Sequence, residues 1–128
     1  MVTVNFDKNG GALTAKAVFL GDMIADYGMF LKAKKSNDQT LLLEGDNLNP
    51  DDDSKQLPGT ANSNAGCRLK LQTAFFGNHP DVAPDYEIRL EVYQGGKIVG
   101  FNAEKSNDTS KLTDKAQISL LLINLVAQ

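Results

Sequence analysis

Tryptophan is absent from this chain, and cysteine and histidine occur once each. A lone Cys67 excludes an internal disulfide. It lies in an alternating run, where a thiol is expected to be buried and inert. One histidine, His79 in the loop Asn78-His79-Pro80, together with one cysteine is too few for a familiar zinc set. No run of lysine or arginine occurs and the net charge is −3, which argues against a nucleic-acid partner. No apolar stretch reaches the roughly 20 residues of a membrane-spanning helix. The opening residues, Met1-Val2-Thr3-Val4-Asn5-Phe6, lack a basic segment followed by an apolar one. No signal peptide is visible, so the expectation is a soluble protein, cytoplasmic or exported by another route. Gly-x-Ser-x-Gly and the phosphate-cradling glycine loop are both missing. The 16 Asp and Glu residues leave a catalytic carboxylate pair open, but their surroundings mark none. Asn107-Asp108-Thr109 matches a glycosylation acceptor and reads more simply as a turn.

What is present is β pattern. The 128 residues suit one domain, 1–128, with an ordinary globular balance of 41% hydrophobic and 23% charged residues. Asp85 to Glu104 reads as a long hairpin: Tyr86 to Tyr93 alternates apolar and polar, and Gly95-Gly96 suits a two-residue turn. That turn sets Val92 opposite Val99, Leu90 opposite Phe101 and Ile88 opposite Ala103 as one apolar face. Residues 2–6, 13–20, 24–34, 40–44 and 67–75 read as further strands. The last segment, 115–126, fits a strand buried on both faces, with a C-terminal helix as the alternative period. Seven to eight strands with regular turn signals predict an all-β, antiparallel β-sandwich of jelly-roll or Greek-key type.

Residues 45–66 have neither period and are expected to be loop, long enough to suggest a role. Asp46, Asn47, Asn49, Asp51 and Asp53 supply the hard oxygen ligands that Ca²⁺ takes, without EF-hand spacing. The competing reading is a solvated loop whose Asp and Asn residues serve turns. Phe30, Phe76 and Tyr93 fall on the polar sides of their strands and are candidate ligand-binding aromatics. The lack of tryptophan weakens a sugar platform. The residues do not select one function. A non-enzymatic binding module for a carbohydrate, a lipid surface or a protein, working through end loops and Ca²⁺-dependent if the acidic loop holds an ion, is the first expectation. A structural subunit of a homo-oligomer or larger particle is the second.

Overall fold

The computed structural model describes residues 1–49 and 53–128. The described residues are nearly all β: nine strands in two sheets, with no α-helix. The strands are β1 (Val2–Phe6), β2 (Leu13–Gly21), β3 (Met23–Lys32), β4 (Gln39–Asp46), β5 (Ser54–Gln56), β6 (Arg68–Gly77), β7 (Tyr86–Gln94), β8 (Lys97–Lys105) and β9 (Gln117–Ala127). One sheet has the order β1-β9-β6-β3-β4 and the other β5-β2-β7-β8.

Alternation in the sequence becomes alternation in burial. Ala25, Tyr27, Met29 and Leu31 of β3, Leu69, Leu71 and Phe75 of β6, and Leu121, Ile123 and Leu125 of β9 all turn inward. They meet Leu13, Ala15 and Ala17 of β2 and Ile88, Leu90 and Val92 of β7 in one apolar core. Each large side chain sealed there contributes about 1.5–3 kcal/mol of burial. Cys67 is buried and free, as its alternating run implied.

Several expectations are corrected. The strand beyond the expected eight is β5, a short piece inside the long loop. It pairs with β2 through Lys16–Ser54, Ala15–Lys55 and Thr14–Gln56. The five-stranded sheet is mixed rather than antiparallel throughout, because β1 runs parallel to β9. The C-terminal segment is a strand, not a helix, but it is not buried on both faces: Ile118 and Leu120 are 66% and 54% exposed.

The β7–β8 hairpin forms with Gly95 and Gly96 at positive φ. Its register slips by one residue at Val99, so Gly100 faces Val92, Asn102 faces Leu90 and Glu104 faces Ile88. A bulge at this point turns the polar set of β8 inward and its apolar set outward. The slip is compatible with the core because each inward residue finds a partner. A Cβ on Gly100 would stand 2.7 Å from a Val4 methyl, so only glycine lets β1 approach. Asn102 Nδ2 donates to the carbonyl of Leu122 at 3.0 Å, and the Tyr86 hydroxyl donates to Glu104 at 2.8 Å. The slip also sets Glu87 opposite Lys105, where an unslipped turn would set it opposite the like-charged Glu104.

Candidate functional site

The candidate ion ligands lie in and beside the acidic loop. Asn47 is committed to the fold: its Nδ2 donates to the carbonyl of Met23 at 2.8 Å, and its Oδ1 accepts from the Ala25 N–H at 3.0 Å. Asp46 accepts from the Leu48 N–H at 2.9 Å, a short-range turn bond. Asp53 is 3% exposed and accepts from the Tyr27 hydroxyl at 2.7 Å. Asp46, Asn49 and Asp53 do line one depression of about 200 Å³, beside Tyr27 and Glu44. Among the described residues no three carboxylate, histidine or cysteine side chains converge as a metal site. Asp51 lies outside the described residues.

The candidate aromatics separate. Tyr93 lies on the outer face of the four-stranded sheet, where its hydroxyl donates to Glu91 at 2.8 Å. That hydrogen bond, then burial, raises the Tyr93 pKa above the ordinary tyrosine value. The same face carries Arg89, which donates to Glu91 at 3.0 Å and to Glu87 at 3.2 Å and stacks 3.9 Å over the Phe101 ring. Its charges and its aromatic face are thus already engaged within the chain. His79 sits apart, 2.7 Å from Asp22 at the loop end of β3.

Phe30 and Phe76 share the outer face of the five-stranded sheet, and this face differs from the other. The pairings of β9, β6, β3 and β4 set its side chains in rows. One row runs Ile118, Ala74, Asp26, Asp46; the next runs Leu120, Gln72, Gly28, Glu44. Then come Leu122, Lys70, Phe30, Leu41, and finally Asn124, Arg68, Lys32, Gln39. Down β9 the rows give an apolar column of Ile118, Leu120 and Leu122. Phe76, 41% exposed, lies beyond the first row. Across β6, β3 and β4 they give an acidic end and a basic end.

Gly28 makes the face concave. The Phe30 ring fills the space a side chain at 28 would take, 2.9 Å from where its Cβ would stand. A depression of about 290 Å³ results, walled by Asp26, Phe30, Glu44, Gln72 and Ile118. The Phe30 ring is not bare: the Lys70 ammonium stands 4.7 Å from its centroid.

The residues missed as site candidates are Ile118 and Leu120. Their signal was the spacing of two that Ile118, Leu120 and Leu122 share. A continuous apolar run hides which of its two faces is covered.

No protein-family model matches the chain, and no curated protein matches it. Two solved structures are similar. One is a DUF4425 family protein from Bacteroides ovatus, at 9% identity and a TM-score of 0.45 over 91% of this chain and 96% of that one. The other is a domain of unknown function, DUF4425, from Bacteroides vulgatus, at 9% identity and a TM-score of 0.40 over 94% of this chain and 98% of that one.

Proposed function

We propose that the chain is a non-enzymatic binding module that recognises a protein through the outer face of its five-stranded sheet. The observation that carries the reading is the column Ile118, Leu120 and Leu122, whose first two side chains are more than half exposed on a sheet face with polar flanks. Apolar groups clustered in this way, rather than scattered, mark interaction surfaces. A carbohydrate platform is less well supported, because Lys70 already stands over Phe30 and Arg89 over Phe101. Ca²⁺ at the acidic loop is not needed by this reading. The same reading takes the two sheets as a β-sandwich of Greek-key type, supported by the crossover from β6 in one sheet to β7 beside β2 in the other.

The test is a photo-crosslinking amino acid in place of Leu120, with a control in place of Val82, which is 85% exposed in a loop. In the protein's native cells, position 120 is expected to give a discrete protein adduct and position 82 none. No adduct from position 120, or equal adducts from both, would overturn the reading.

A further inference from the structure

Building on that reading of the sheet face, we propose that its partner is a second copy of this chain. The two copies dock face to face about a twofold axis that crosses the strands between Gly28 and Phe30. The argument begins with charge. Asp26, Glu44 and Asp46 gather at one end of the face, and Lys32, Arg68 and Lys70 at the other. Among the described residues none of these six makes an ion pair within the chain. Six exposed or half-buried charges sorted by sign along a strand direction are a pattern for something outside the chain.

A twofold axis that brings two copies face to face must lie in the plane of the contact. Were it to run along the strands, each acidic end would meet the other acidic end. Running across them, it reverses the strand direction and keeps each strand over its own copy. Asp26 then comes opposite the partner's Lys32, with Glu44 and Asp46 flanking it, and Gln72 comes opposite the partner's Lys70. On β9, Leu120 comes opposite the partner's Leu122, with Ile118 opposite the partner's Asn124. The arrangement that lays each acidic end over the partner's basic end is also the one that covers Leu120. Gly28 comes opposite the partner's Phe30, each ring leaning over the glycine of its own chain.

Twist will set the two sheets about 30° apart, which preserves this pairing near the axis. Strands about 4.8 Å apart, rising about 3.3 Å per residue, give a face on the order of 600 Å². Stable complexes bury about 800 Å² per partner. The dimer is therefore expected to be reversible and to depend on concentration.

Sedimentation equilibrium on the full chain over a concentration series tests it. The wild type is expected to rise from 13.8 kDa toward twice that mass. Asp26→Lys with Glu44→Lys leaves Asp46 as the one acid among the six charges, and Lys32→Glu with Lys70→Glu leaves Arg68 as the one base. Each double variant alone is expected to stay monomeric where the wild type associates, and an equimolar mixture of the two is expected to associate again. Should either variant fail to fold, Leu120→Lys is expected to abolish association by itself, since its side chain is 54% exposed and outside the core. A wild type that remains monomeric, or variants that associate as well as the wild type, would overturn the second copy as partner. A monomer whose position 120 still crosslinks to a different protein would leave the recognition face standing. A monomer that crosslinks to nothing would remove both.

Discussion

The hydroxyl of Tyr27 donates to Asp53 across 2.7 Å, and both residues are buried, at 5% and 3% exposure. Tyr27 lies on β3 of one sheet. Asp53 immediately precedes β5 of the other, and its carbonyl accepts from the Ala17 N–H at 2.9 Å. The last acid of the loop therefore ties the two sheets together. Removing a donor from a buried acceptor leaves a desolvated group with one partner fewer. Tyr27→Phe, which keeps the ring and its 5.4 Å contact with Phe19, is expected to cost about 1–3 kcal/mol in urea unfolding. An unchanged midpoint would mean that this bond contributes nothing net.

Asn47 separates the structural role of the loop from an ionic one. Both ends of its amide bond main-chain atoms of β3. Asn47→Ala is expected to lower stability by about 1–3 kcal/mol, equally in millimolar Ca²⁺ and in chelator. Thermal unfolding in the two conditions checks this. A loss confined to the Ca²⁺ sample would make Asn47 an ion ligand.

Local pattern was legible where it did not depend on distant neighbours. The burial of Ala25, Tyr27, Met29 and Leu31, the Gly95-Gly96 turn and the outward placement of Phe30, Phe76 and Tyr93 all follow from a period of two. What could not be read was set by contacts remote in sequence. Val4 against Gly100 and Asn102 against Leu122 decide the slip at Val99, and the parallel β1–β9 pairing joins the chain's two ends. The sorted charges of the candidate face lie on three strands, so they appear only once β4, β3 and β6 are adjacent. Asn47 was visible as a polar loop residue, but an oxygen that bonds main chain has the same composition as one that binds an ion.

Thr73 and Ser119 stand opposite each other on β6 and β9, at 0% and 1% exposure. Among the described residues neither hydroxyl has a hydrogen-bond partner. An unsatisfied buried hydroxyl costs free energy that a group of the same shape avoids. Thr73→Val with Ser119→Ala is expected to leave stability unchanged or raise it by about 1–2 kcal/mol in denaturant unfolding. A loss of that size would instead reveal a bound partner for the pair.

Alkaline pH is expected to find the chain weak through two tyrosines. Burial raises the pKa of Tyr86, with Glu104 adding to the shift and the Ser110 hydrogen bond opposing it. Tyr93 is raised chiefly by its bond to Glu91. Each phenol holds its proton more tightly folded than unfolded. Their contribution is therefore complete below the unfolded value of about 10 and is lost as pH climbs through the folded values. Phenolate absorbance is expected to titrate late for both, and Tyr93→Phe to remove part of the alkaline loss. Ordinary midpoints for both would contradict the geometry.

The slipped register of β8 makes a prediction opposite to the one simple alternation suggests. A hairpin without the bulge would set Leu90 and Phe101 together in the core. The observed one seals Leu90 completely and leaves Phe101 45% exposed under Arg89. Leu90→Ala is then expected to cost about 2–5 kcal/mol by leaving a cavity. Phe101→Ala should cost no more than about 1 kcal/mol, chiefly the lost contact with the guanidinium. Val92→Asp, placing a charge where the side chain is fully buried, is expected to cost several kcal/mol on either register and so serves as the control for core placement. Urea unfolding of the three variants decides it: a Phe101→Ala loss equal to that of Leu90→Ala would restore the unslipped pairing and return Asn102 and Glu104 to the surface.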